Sequence, residues 1–125
     1  MTDAPRWQRL CQLAESEIER TLAALPLELQ TRARQLPVTI EAVPNDGLVE
    51  DGIDPETLGL FVGPEHADAG FDPIPSQIIL FLENIWDLAA GDEEIFCEEV
   101  HITLLHELGH YLGLDEDDLF DRGLD

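Results

Sequence analysis

The stretch DEEIFCEEVHITLLHELGHYLG, residues 92–113, predicts one long helix around which the rest of the chain is organised. Asp92 is a good N-cap residue, and Gly113 can adopt the left-handed conformation that ends a helix. Between them, apolar residues recur at helical spacing. We therefore expect a helix over 93–112 with a broad apolar face, formed by Ile95, Phe96, Val100, Leu104, Leu105, Leu108 and Leu112.

The letters HELGH, residues 106–110, form an H-E-x-x-H pattern near the end of this helix. Residues four apart share a helix face, so His106 and His110 can hold one metal ion between their imidazoles. Glu107 lies about 100° further round the helix. The pattern is typical of zinc hydrolases, in which the glutamate takes a proton from a metal-activated water. The alternative is an amphipathic helix with two surface histidines.

The remaining elements are predicted from periodicity, β-branched residues and the positions of proline and glycine. The span from Pro44 to Pro75 is rich in turn residues and, apart from one strand, is expected to be loop. A last short helix is expected over 115–123. The other predicted elements are helices over 4–24 and 27–35, strands over 38–43 and 58–63, a strand beginning at 76, and a helical turn over 84–90.

Composition restricts the range of partners. The chain has 125 residues and a net charge of −22, so we expect a single domain over 1–125 that repels nucleic acid and anionic lipid. The charge suits neutral or cationic partners, and a basic peptide is one candidate substrate; the alternative is an acidic surface that is simply solvated. No apolar run suggests a signal peptide or a membrane span, so a cytoplasmic location is expected. Cys11 and Cys97 are expected to be buried thiols outside any metal site or disulfide.

A catalytic zinc site needs a third protein ligand, and two familiar solutions do not fit this sequence. Thermolysin-like enzymes take a glutamate from a second helix downstream, but only 15 residues follow His110. Metzincins continue H-E-x-x-H-x-x-G-x-x-H and add a methionine turn. Here Gly113 matches their glycine, but Glu116 stands at the histidine position and Met1 is the only methionine.

The span from residue 76 to about residue 120 resembles the minimal zincin-like metallopeptidases, whose motif is H-E-x-x-H-x-x-G-x-x-D. The resemblance implies a zincin-like α+β fold, with a small mixed sheet packed on the active-site helix and a helix at the N-terminus. It also implies zinc bound by His106 and His110, with Glu107 as the catalytic base. In zincins the edge strand of the sheet pairs with an extended substrate, and residues 77–82 are the predicted region for this pairing.

The chain departs from that family at the third-ligand position, where Glu116 replaces the aspartate. Glutamate carries the same carboxylate on a longer stem, so Glu116 is the predicted third ligand. Asp115 and Asp117 are the reserves after a one-residue shift. The alternative is that these acids are only the solvated start of a helix, which carboxylates stabilise in any case.

The predicted function is a zinc-dependent metallopeptidase that hydrolyses peptide bonds in a peptide or protein substrate. Two alternatives stay open: a catalytically weak or inactive metal-binding protein of zincin fold, and an acidic interaction module for a basic partner. The sequence contains no clear oxyanion donor, since Tyr111 should only pack and Arg122 has either a structural role or a place in the cleft. His101 should lie off the metal face, and His66 is expected in a loop.

Overall fold

The structure is a computed structural model that describes residues 4–63 and 76–113. Its order of elements is helix, helix, strand, helix, strand, strand, helix, helix, which is an α+β arrangement. The elements are α1 (Ala4–Ala23), α2 (Leu27–Ala33), β1 (Val38–Glu41), α3 (Asp46–Glu50), β2 (Gly59–Val62), β3 (Gln77–Phe81), α4 (Leu82–Leu88) and α5 (Glu93–Leu112).

The three strands form one mixed sheet in the order β1-β3-β2. β3 is paired on both sides, running parallel to β1 and antiparallel to β2. The prediction that residues 77–82 form a substrate-pairing edge is therefore wrong, because both edges of β3 are already hydrogen bonded. Ile78 and Leu80 of β3 are fully buried, as the continuous apolar run of a central strand requires.

Helix α5 begins and ends as its sequence predicts. The Asp92 side chain accepts a hydrogen bond from the backbone N–H of Ile95, and Gly113 ends the helix with φ at 72°. The predicted apolar face is largely confirmed, since its central members Phe96, Val100, Leu104, Leu105 and Leu108 are buried. Ile95 is an exception: 42% of it is exposed at the solvent side of the first turn.

Helix α5 is packed against the sheet and against the helices α1, α2 and α4. One side of the helix packs on β2 and β3, and another packs on α1, while α4 also contacts it. The α1 layer is buried through Leu10 and Ala14 and is tied to α5 at the surface by a two-bond contact between Arg9 and Glu93. Because α5 lies between the sheet and α1, its apolar residues form the centre of the core.

Two local predictions need correction. The segment after β1 contains the short helix α3, whose start is fixed by Asn45 accepting a hydrogen bond from the N–H of Leu48, so this part is not all loop. Cys11 and Cys97 are free, as expected, but only partly buried. None of the described helices combines the length and apolar character that a membrane-spanning helix needs.

Candidate metal centre

The three residues of the H-E-x-x-H pattern come together near the C-terminal end of α5. The rings of His106 and His110 lie one turn apart with centroids 4.8 Å from each other, and both side chains are exposed. Glu107 Oε1 lies 3.6 Å from His110 Nδ1. The helix thus presents two imidazoles to solvent and places one carboxylate directly beside them.

Glu107 is in a very different environment from the two histidines. Only 10% of its side chain is exposed, against 53% for His110. Burial raises the pKa of the Glu107 carboxyl above its ordinary value, and three influences oppose that rise: the nearby His110, the nearby His106, and a hydrogen bond from the backbone of Phe61. A carboxyl that is buried and held in this way suits a group that must accept and then release a proton.

The backbone group that holds Glu107 belongs to β2, an edge strand of the sheet that residues 4–63 and 76–113 form. The N–H of Phe81 bonds to the carbonyl of Leu58, which makes these two residues a hydrogen-bonded pair of the β2–β3 ladder. Because such pairs alternate along an antiparallel ladder, Gly59 and Phe61 direct their N–H and C=O groups away from β3. β2 is therefore the edge strand beside the histidines.

Gly59 allows β2 to approach α5 at this point. A Cβ atom on residue 59 would lie 2.5 Å from Cγ2 of Thr103 and 3.5 Å from Cγ of Glu107. Thr103 is buried and lies about one turn before His106 on the same face of the helix. The missing side chain at residue 59 brings the edge strand against the helix face that carries the motif.

A cavity of about 250 Å³ opens between β2 and this face of α5. Its wall includes His106, Glu107 and, nearly two turns earlier on the helix, Glu99. The apolar part of the wall is formed by Leu58, Gly59, Ile102 and Thr103. The candidate site thus has a built recess next to its titratable groups.

The other residues singled out from the sequence are separated by the fold. His101 Nδ1 lies 2.8 Å from the hydroxyl of Thr21 on α1, so it is a hydrogen-bonded histidine away from the His106 face, as predicted. Tyr111 is buried and packs on Phe61 with ring centroids 6.0 Å apart. Five further candidates lie outside the described residues: His66, Asp115, Glu116, Asp117 and Arg122.

Within residues 4–63 and 76–113, no group of three or more histidine, cysteine, aspartate or glutamate side chains is placed to hold a metal ion. The described part of the site consists of His106 and His110 with Glu107 beside them. The predicted third ligand, Glu116, falls after Gly113 and is untested by this geometry.

A mixed sheet packed on a helix that carries H-E-x-x-H, with the glutamate buried against the edge strand, defines the class of zincin-like proteins. Residues 33–124 match the family model of zincin-like metallopeptidases. The chain therefore belongs to the zincin-like metallopeptidase family, as its resemblance indicates. No match was found among curated proteins.

Three parts of this site escaped prediction: the backbone of Phe61, the close contact at Gly59, and Glu99 in the cavity wall. The first two depend on which strand lies at the edge of the sheet, and the order of the strands cannot be predicted from the local sequence. The position of Glu99 could have been predicted from the sequence. Residues 99, 103, 106 and 110 are spaced by four, three and four, which places them on one face of the helix.

Proposed function

We propose that this chain is a zinc-dependent peptidase in which His106 and His110 bind the metal ion and Glu107 is the general base. One observation carries the proposal: two exposed imidazoles one turn apart flank a carboxylate that is buried and held by the edge strand. A helix with two surface histidines and no function would not need a buried carboxylate between them. Its burial is unfavourable for folding and calls for another benefit.

The donor set fits zinc. Imidazole nitrogen is a preferred zinc ligand, and two histidines four residues apart on a helix can share one ion. When bound, zinc would polarise the substrate carbonyl and make water more acidic. We propose Glu116 as the third ligand, with Asp115 and Asp117 as reserves. Two imidazoles and one carboxylate would leave a fourth position open, as catalysis requires.

Glu107 has the properties of a proton carrier. Its carboxylate would accept a proton from the attacking water and then donate it to the nitrogen of the leaving amine. In the metal-free chain burial raises the pKa of Glu107, so its carboxylate holds a proton more tightly than an exposed glutamate does. The hydrogen bond from Phe61 fixes the orientation of this carboxylate at the edge of the sheet.

β2 replaces residues 77–82 as the candidate strand for substrate pairing. Among the described strands β2 has no neighbour on its outer side, where Gly59 directs its N–H and C=O and Phe61 directs its C=O, and an extended peptide can add there as a further strand. Such a peptide would run past Glu107, whose side chain reaches the same edge. Backbone pairing holds a peptide without regard to its sequence, so any selectivity must come from side-chain recesses beside the strand.

The test compares the wild-type chain with Glu107→Gln. Both are loaded with zinc and incubated with a mixed peptide digest, and zinc content and cleavage are measured on the same samples. We expect Glu107→Gln to keep its zinc and to lose at least about a hundredfold in cleavage rate. Cleavage that survives this substitution would exclude Glu107 as the base.

Two other outcomes would favour the rival functions. Zinc binding without cleavage by the wild-type chain would indicate a metal-binding zincin-fold protein without peptidase activity. An affinity for basic proteins that falls steeply with salt and ignores zinc would indicate an acidic interaction module.

A further inference from the structure

We propose that Glu99 makes the cavity beside His106 a pocket for one basic side chain, lysine or arginine, of the peptide substrate. This inference rests on the proposed function, which it deepens by naming a substrate class and the residue that selects it. It is carried by the position of the cavity, the chemistry of its wall and the Glu99 carboxylate, which has no partner among the described residues.

The cavity is continuous from the proposed catalytic groups to Glu99. Seven residues separate Glu99 from His106, which is nearly two turns and about 10 Å along the helix axis. A substrate residue whose backbone lies beside Glu107 can therefore extend its side chain along α5 towards Glu99. A short side chain would leave the far end of the cavity filled with water.

The size of the cavity fits a side chain and not a whole ligand. Its volume of about 250 Å³ lies below the range of roughly 300–1,000 Å³ that is usual for small-molecule sites. Its wall includes the apolar side chains of Leu58 and Ile102. Ile102 is a large apolar side chain that is 53% exposed, and an aliphatic stem lying in the cavity would cover it. Lysine and arginine have such a stem with a cation at its tip.

The negative charge of Glu99 favours a substrate side chain that ends in a cation. Within the described part of the chain, Glu99 has no hydrogen bond or ion pair, and no arginine lines the cavity. Two of the described arginines form hydrogen bonds with other glutamates: Arg9 bonds to Glu93, and Arg34 bonds to Glu19. A cationic tip would give Glu99 a partner, whereas an acidic tip would face both Glu99 and Glu107.

The first experiment maps cleavage and then tests one position. Zinc-loaded wild-type chain is incubated with a casein digest, and mass spectrometry locates the cut sites. We expect lysine and arginine to be enriched at one fixed position relative to the cut. A synthetic peptide with lysine at that position is then compared with the same peptide carrying norleucine, which has a similar length and no charge.

Wild-type chain should cleave the lysine peptide with a kcat/KM about tenfold higher, as one partly exposed charge-assisted contact gives. Glu99→Gln should bring this ratio close to one by lowering kcat/KM for the lysine peptide. The matched control is Glu98→Gln, because Glu98 is the neighbouring exposed residue and lines the groove between α1 and α5 instead. A wild-type ratio near one, or a ratio that survives Glu99→Gln, overturns the proposal.

A binding measurement separates this proposal from the proposed function. The probe is n-butylammonium, compared with 1-butanol, and the readout is the amide NMR signals of Ile102 and Thr103 in metal-free protein. We expect n-butylammonium to shift these signals in wild-type and Glu98→Gln protein and not in Glu99→Gln protein. If this holds but no peptide is cleaved, the peptidase function fails and the cation pocket stands. If n-butylammonium shifts nothing, or shifts Glu99→Gln equally, the pocket fails whatever the peptides show.

Discussion

Gly59 of β2 lies so close to Thr103 of α5 that a Cβ atom on residue 59 would come within 2.5 Å of the Thr103 Cγ2 atom. Thr103 is buried and its branched side chain is stiff, so it cannot simply turn aside. We expect Gly59→Ala to lower the free energy of unfolding by about 1–3 kcal/mol, as overpacking does. Chemical denaturation measures this change.

A second variant identifies the cause. Thr103→Ser removes the Cγ2 atom, so Gly59→Ala combined with Thr103→Ser should recover most of the lost stability. Gly47→Ala is the control, because a Cβ at that helical position would meet only the Asn45 side chain at 3.4 Å. It should be neutral or stabilising by up to about 1 kcal/mol. A Gly59→Ala loss that persists in the double variant would contradict the contact.

The features of this fold that sequence predicts are the local ones. Asp92, Gly113 and the four-residue spacing of the histidines act within one helix, so the start, end and motif face of α5 follow from their neighbours alone. The order of the strands does not, because it depends on packing between distant segments. The apolar run of β3 was compatible with an edge strand and with a central strand, and only pairing with β1 and β2 decides between them.

The candidate site likewise has a part that follows from local sequence and a part that depends on packing between distant segments. His106, Glu107 and His110 are placed by helix geometry, whereas the hydrogen bond from Phe61 exists because β2 lies at the edge beside them. The short helix α3 escaped prediction since five residues carry too little periodicity, although Asn45 was available as a cap signal.

Zinc binding should depend on the histidines that share a face and not on the third histidine of α5. His106→Ala and His110→Ala should each weaken zinc binding by more than about a hundredfold, since even outer residues of zinc sites matter 10- to 100-fold. The measurement is isothermal titration with zinc at neutral pH.

His101→Ala is the matched control on the same helix. It loses the 2.8 Å contact with Thr21, which should lower stability by about 1 kcal/mol, and it should bind zinc as the wild-type chain does. Equal zinc affinity in all three variants would rule out a metal centre on this face.

The third ligand can be assigned by comparing three neutral substitutions. We expect Glu116→Gln to weaken zinc binding by at least about tenfold, because a carboxylate ligand is lost while the shape is kept. Asp115→Asn and Asp117→Asn should change it by much less. A larger loss in Asp115→Asn or Asp117→Asn would transfer the role to that residue, and no loss in any of the three would leave the site with two protein ligands.

The burial of Glu107 should make the metal-free protein less stable than it could be. Because burial raises the pKa of Glu107, its proton is held more tightly in the folded state than in the unfolded state. Below the ordinary value of 4.5 both states are protonated and the group favours neither. As the pH rises, the unfolded state ionises first, so this carboxyl progressively favours unfolding.

Glu107→Gln cannot ionise, and its amide oxygen can still accept the hydrogen bond from Phe61. In EDTA, the variant should therefore melt at a higher temperature than the wild-type chain at pH 7.5 and at a similar temperature at pH 4. Glu98→Gln controls for the loss of one unit from a net charge of −22, since it makes the same change at an exposed position. If Glu107→Gln raises the melting temperature at pH 7.5 no more than Glu98→Gln does, burial of Glu107 does not destabilise the fold. The stability argument for its catalytic role would then be removed.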